Sequence, residues 1–474
     1  INSLGYFQEN FEIEQQPGSA PDRIVLEANV EEQPTGELQL SAGFSSIESF
    51  ILSGSIRQRN FRGRGQTIGA SLNYSRFSRA AQLSFTEPYL FDRNISAGVD
   101  VYRRDFNNFN FTSTGRNTTF EQATTGFSAR VGVPLTEFMS AVASYTFNYD
   151  DVSVDESLFF SDFDGDGILT CDPFRAGRFL CDTLGQRASS ILGLTVAYDN
   201  LNSRFRPTRG ESLSVTGEFA GLGGDVQYYR LRVKGAKYWR LPLGFIGSIT
   251  AEGGVIESLE DRGGDGVDDV RLTDRFFLGE GQIRGFDIRG VGPRVLRRPI
   301  FDDGMGNPVV VTDRDQIQDD AIGGRAYYLA RAEVEIPLGT GASELGLRPS
   351  VFMDVGAVFN VTTPDLIQNE FGNERFFATR DANGDPVFFS ATDNVSVAIP
   401  EGDPIPDGFV AVGTTTAAFE EIFLGDSASP RITVGIGVNW NSPFGPFRID
   451  FAHALSLEEG DDPKKFSFNV GTQF

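Results

Sequence analysis

A chain of 474 residues has room for two or three ordinary domains, yet its composition excludes several separate soluble cores: Gly (54) and Phe (43) abound, while Cys (2), Met (3), Trp (2) and His (1) are scarce. The formal charge of −24 repels a phosphate backbone, and no basic aromatic stripe offsets it, which excludes nucleic acid as a partner. No run of about 18 apolar residues exists, so no transmembrane helix fits. A barrel strand needs only about 10 residues with every second one apolar, which the mean hydropathy of −0.20 allows. Ring side chains favour a pleated surface and Gly weakens helix interiors, so the composition predicts an all-β fold.

The first residues, Ile1-Asn2-Ser3-Leu4-Gly5, carry neither a basic region nor an apolar signal core and read like the middle of a domain. After a short helix-like start come FEIEQ (11–15) and RIVLEANVEE (23–32), two strand-like runs separated by the turn PGSAPD (17–22). Residues 1–35 are too few to bury a core and predict the remnant of a small α/β module. The character changes at Gly36, and the unit expected from there runs over 36–474. About 16 strands are predicted, beginning near 37, 49, 65, 79, 95, 121, 137, 187, 210, 225, 244, 325, 345, 430, 446 and 465.

Period-2 alternation recurs along these strands. In DVQYYRLRVKGAKYW, Tyr228, Arg230, Arg232, Lys234 and Tyr238 share one face, with Tyr229, Leu231, Val233 and Trp239 on the other. RAYYLARAEVEIPL sets Arg325, Arg331, Glu333 and Glu335 against Tyr328, Ala330, Ala332, Val334 and Ile336. Sandwiches and barrels both alternate in this way, so the pattern leaves open which face points inward. Two features favour a barrel in a bilayer. Aromatic residues gather at strand ends (Tyr89, Phe91, Tyr145, Phe147, Tyr149, Tyr238, Trp239, Trp440, Phe444 and Phe447) as an interfacial girdle requires, and short turns alternate with the long polar loops 150–186, 258–324 and 361–429.

The polar loops hold the remaining candidate chemistry. Cys171 and Cys181 lie close together in one loop, which fits a small disulfide in an oxidising compartment. SDFDGDG (161–167) sets Asp162, Asp164 and Asp166 in the spacing of a calcium loop, although position twelve is Pro173 where such loops carry a bidentate Glu. These three carboxylates are candidate ligands for a structural calcium, with a solvated acidic loop as the alternative; no other cofactor is expected. The single histidine, His453, sits in the strand-like FAHAL, and one His cannot build the usual zinc site or a Ser-His-Asp triad, so an enzyme is not expected.

Several segments, in order, resemble the BamA-type outer-membrane assembly family. They are PTGELQLSAGFSS (34–46), SIRQRNFRGRGQ (55–66), TEPYLFDRNISAG (86–98), YDNLNSRFRPTRG (198–210), FFLGEGQIRGFDIRGVGP (276–293), and WNSPFGPFRIDFAHAL (440–455) with FSFNVGTQF (466–474). The resemblance implies a 16-stranded antiparallel transmembrane barrel in the outer membrane of a Gram-negative bacterium, preceded by part of a periplasmic POTRA domain at 1–35. Its implied activity is folding and inserting other barrel proteins. The implied partners are nascent outer-membrane β-barrel proteins, periplasmic chaperones, accessory lipoproteins of an assembly complex, and membrane lipid.

By the same resemblance the sixth loop (about 258–324) folds into the lumen, where Arg284, followed by Gly285 and Phe286, meets an acidic residue of the wall. A buried guanidinium requires such a partner. Asp354 shares strand parity with Arg348, Ser350 and Phe352 and is the expected one, with Glu333 and Glu335 as alternatives. The seam between first and last strands is the second expected element. Gly43 and Gly471 should weaken pairing there, Phe474 should end the last strand as an assembly signal, and Leu40 is expected near Val470. A poorly zipped seam exposes amide and carbonyl groups that template another strand. Competing expectations are a TamA-like paralogue, a two-partner-secretion transporter that passes soluble polypeptides through its lumen, and a passive porin, for which a lumenal plug motif has no use.

Overall fold

The computed structural model describes the chain apart from residues 1–5, 8–11, 21–22, 46–47, 113–114, 163–167, 205, 340–345, 374, 380, 382–384, 391, 393, 401, 443–444 and 471–474. Sixteen strands form one closed antiparallel barrel. In chain order they are Gly36–Ser45 (β1), Ser49–Phe61 (β2), Gln66–Ser75 (β3), Ser78–Glu87 (β4), Ser96–Thr112 (β5), Gly115–Pro134 (β6), Met139–Ser153 (β7) and Gly185–Asp199 (β8). The second half comprises Gly210–Gly224 (β9), Tyr228–Arg240 (β10), Ile246–Ser258 (β11), Ala326–Glu335 (β12), Leu347–Phe359 (β13), Arg431–Ser442 (β14), Gly445–Ser456 (β15) and Phe466–Val470 (β16). Ahead of β1, Glu12–Pro17 and Ile24–Asn29 pair as an antiparallel hairpin, on the two runs expected from sequence.

The alternating pattern resolves into two faces of opposite character. Leu38, Leu40, Ile56, Leu72, Leu83, Leu194, Ile436 and Phe451 lie on the outer surface, each more than half exposed. A soluble protein does not display such a continuous apolar belt, whereas hydrocarbon solvates it. The inner face is polar: Arg130 and Gln82 donate to Asp100, and the Tyr102 hydroxyl lies 2.6 Å from the Asn148 side-chain oxygen. Alternation also corrects one girdle residue, because Tyr238 shares the inward parity of Arg230 and Arg232 while Trp239 faces out. Phe444 lies outside the described residues.

One rim carries short connections between β2 and β3 (62–65), β6 and β7 (135–138) and β10 and β11 (241–245). The opposite rim carries the fourth loop (154–184), the sixth (259–325), the seventh (360–430) and the eighth (457–465). The fourth, sixth and seventh close over this rim as a cap. Cys171 and Cys181 are joined by a disulfide that braces two short helices, Pro173–Ala176 and Arg178–Cys181. Ala176 and Leu180 from these helices bury against Leu272, Val295 and Ile322 of the sixth loop and Val361 of the seventh.

Strand Arg294–Asp302 of the sixth loop pairs with Gln318–Ala321 on one side and with Phe419–Leu424 of the seventh loop on the other. Arg297 joins all three loops, reaching Glu421 at 2.6 Å and the Phe174 carbonyl at 2.7 Å. Asp320, buried beside this sheet, has its carboxyl pushed up to about 6 by loss of solvent, and the Gln318 amide only partly offsets that loss. The ionised form is therefore disfavoured in the folded cap. Cap stability should be highest below the unfolded value of 3.8, fall as pH rises toward 6, and stay low above it. Asp320→Asn should stabilise the cap at neutral pH by on the order of 1–3 kcal/mol and flatten this dependence, read as protease resistance of the sixth loop from pH 4 to 7.

Candidate functional site

The sixth loop turns inward after β11 and lays its 278–291 segment against the inner wall. Ile283 and Phe286 are fully buried there with Leu278 and Val291, against Leu329 of β12 and Val358 of β13. This apolar anchor fixes the segment and aims the residue between them, Arg284, at the wall. Gly285 follows with φ of +88°, and a Cβ on it would stand 3.0 Å from both Ala452 Cβ and Thr433 Cγ2. Backbone conformation and space therefore both require glycine at this point.

Arg284 Nε donates to Asp354 Oδ2 at 2.7 Å and Nη2 to Asp354 Oδ1 at 2.5 Å, a bidentate fork. Its backbone N–H adds a third bond to Asp354 at 3.0 Å, and Nη1 reaches Glu333 Oε2 at 2.7 Å. The guanidinium also lies 3.6 Å from the centre of the Phe352 ring. Asp354 is wholly buried, so its charge is tolerated only because Arg284 and the backbone amide satisfy it. Glu335, the second alternative on β12, instead pairs with Arg206 at 2.6 Å. It stands two residues further along β12, nearer the short-turn rim, and bonds Arg206 instead of the loop.

Arg448 belongs to the same cluster and was not singled out from sequence. It bonds Asp450 at 2.7 and 3.0 Å and lies 3.8 Å from Glu333. Its signal was available in FRIDF, where an Arg and an Asp two apart must share one strand face. Beside the cluster lies a cavity of about 180 Å³, bordered by Arg331, Glu333, Arg448, Asp450, Ser467 and Asn469. The inner face of β16 thus borders on polar space.

At the seam, β1 pairs with β2 along its whole length, from Gly36 opposite Gln58 to Ser45 opposite Ser49. On its other side the described pairing with β16 consists of Phe44 opposite Val470 and Ser45 opposite Asn469. From Gly36 to Gly43, β1 has no partner on that side among the described residues. Phe44, not Leu40, stands opposite Val470, so the register differs by four residues from that expected: β16 meets β1 near the long-loop rim. Gly471 and Phe474 lie outside the described residues, as do Asp164 and Asp166 of the calcium candidate. Asp162 is described, and among the described residues no group of three or more His, Cys, Asp or Glu side chains could hold a metal ion. His453 lies on the outward face of β15 with Phe451 and Leu455.

A closed sixteen-stranded barrel with an apolar exterior, and a loop motif bolted to its inner wall, defines an outer-membrane barrel of a specialised kind. The Omp85 superfamily domain matches residues 60–474, and the chain belongs to that superfamily. It is 25% identical over 480 residues to the outer membrane protein assembly factor BamA of Neorickettsia risticii, with all of this chain and 50% of that protein covered. It is likewise 25% identical over 482 residues to BamA of Neisseria meningitidis serogroup B, with 51% of that protein covered. The chain therefore spans about half the length of these relatives. Its fold matches the crystal structure of BamA from Haemophilus ducreyi lacking POTRA domains 1–3, with a TM-score of 0.67, 21% identity, and coverage of 99% of this chain and 76% of that one.

Arg284→Ala strands a buried carboxylate and should destabilise loop docking by about 3–5 kcal/mol, whereas removing both charges in Arg284→Ala/Asp354→Ala should be less damaging. Arg284→Lys should recover only part of the loss, because an ammonium cannot form the fork. Protease susceptibility of the sixth loop and heat-modifiable gel mobility measure the effect. Parental behaviour of Arg284→Ala would show that the contact does not hold the loop.

Proposed function

We propose that this chain folds and inserts β-barrel proteins into the outer membrane of a Gram-negative bacterium through the seam between β1 and β16. The observation that carries this reading is the edge of β1. Alternate residues of an antiparallel strand turn their N–H and C=O groups to the same neighbour, so Gly36 to Gly43, without a seam partner among the described residues, present roughly eight such groups there. In hydrocarbon each group left without a partner costs several kcal/mol. An incoming strand that pairs with this edge removes that cost, and its outward side chains join the belt of Leu38 and Leu40.

Nascent outer-membrane barrels are the substrates in this reading. Chaperones that deliver them and accessory lipoproteins of an assembly complex are the partners. The free energy comes from substrate folding and from burial of its apolar strands in lipid, without a nucleotide. The cap and the docked sixth loop occupy the route that a polypeptide secreted through the lumen would need, which favours insertion over secretion. Residues 1–35 are the end of a periplasmic POTRA module in the same reading, which places the short turns in the periplasm and the cap at the cell surface. Exposed Ile13, Ile24, Val25 and Leu26 on the hairpin are the apolar surface that the rest of such a module would cover.

A disulfide between Ser45→Cys and Asn469→Cys, which stand opposite each other, should block assembly of other barrels while this one remains folded. Reductant should restore assembly, with the parent chain treated alike because Cys171–Cys181 is also reducible. Undiminished assembly by fully crosslinked protein would refute lateral opening.

A further inference from the structure

We propose that Lys464 and Asp461 are positioning residues for the seam. They fasten the eighth loop, which leads into β16, onto the sixth loop and the head of β14, so that the start of β16 is held in place opposite β1. The proposal rests on the reading of the seam as the gate and assigns what holds β16 at it.

The eighth loop runs antiparallel against the segment just beyond Arg284. Lys464 N donates to the Gly285 carbonyl at 3.0 Å, Asp287 N to the Asp462 carbonyl at 2.9 Å, and Asp462 N to the Gly290 carbonyl at 2.8 Å, with Phe286 opposite Pro463. Charged side chains reinforce this short ladder at both ends. Lys464 Nζ lies 2.7 Å from Glu280 and 3.3 Å from Asp287, and the Glu280 side chain is almost completely buried. Asp461 and Arg431 at the head of β14 form a wholly buried pair at 2.9 Å. Arg431 places its other N–H groups on the carbonyls of Gly425, Ser427 and Ser429. Arg314 of the sixth loop donates to the carbonyls of Gly460 and Asp461.

These contacts are continuous with the site. Asp354 on β13 holds Arg284, the next residue accepts from Lys464, and β16 begins two residues after Lys464. The entry to β16 is thereby tied through the sixth loop to a wall three strands away. On the opposite side, β1 is held at the seam by Phe44 and Ser45 among the described residues. Lys464 and Asp461 therefore supply what the short described β15–β16 ladder of five pairs does not, a fixed start for β16.

The test uses the protein with its upstream domains, in native membranes and without a substrate, and scores the rate of disulfide formation between Ser45→Cys and Asn469→Cys. A second pair in the continuous wall, Thr195→Cys and Thr216→Cys, serves as control. Lys464→Met removes the charge and should slow the seam crosslink about tenfold, the effect of losing one partly buried charged hydrogen bond. Lys464→Arg should stay within about twofold of the parent, since it keeps the charge, and the wall pair should not change. Parental seam crosslinking in Lys464→Met overturns the proposal. So does equal loss of both pairs in Lys464→Met and in the milder Lys464→Gln, because that marks a general folding role. Parental crosslinking in Lys464→Met with assembly still blocked by the seam disulfide would remove the latch and leave the gate. A slowed crosslink with assembly indifferent to the disulfide would do the reverse.

Discussion

Hydrocarbon offers no hydrogen bonds, and this constraint organises the molecule. Each strand in the bilayer must find its backbone partners in its neighbours, and closing the sheet is how sixteen strands all succeed. The apolar belt, the polar lumen and the start of every loop at a rim follow from that closure. Its sole thin place among the described residues is the junction of β1 with β16.

The polar interior creates a second problem, which the sixth loop solves. A wide barrel lined with Arg, Asp and Glu does not pack itself, and charges taken from water need designated partners. Asp354 receives a forked guanidinium and a backbone amide from one residue, while Phe286 and Ile283 supply the apolar contact that holds the loop at that depth. Electrostatics sets the orientation of Arg284, and burial of its neighbours supplies the attachment. The flanking glycine is required because the chain comes close to β14 and β15 at that turn.

Much of this was legible in the sequence because period-2 alternation is a local signal. Strand number and most strand starts followed from it, as did the inward parity of Asp354 and Glu333. The start of β6 was less clear: the sequence of 115–119, GRNTT, has no apolar residue to alternate, so the pattern begins only at Phe120. Glu335 has the correct parity but the wrong depth, and depth along a strand depends on the stagger of the whole barrel, which no local pattern encodes. The four-residue error at the seam has the same origin. The cluster EEGDDPKK (458–465) looks like an ordinary solvated loop, and only folding brings its Asp461 against Arg431, 30 residues earlier in the chain.

The cap over the long-loop rim bears on permeability. Three loops share one apolar centre and one arginine, Arg297, that touches all of them; the sixth and seventh also share a sheet, and a disulfide braces the fourth, the smallest. A lid so cross-braced is attached to itself as well as to the rim, so its closure over the lumen does not depend on any single loop.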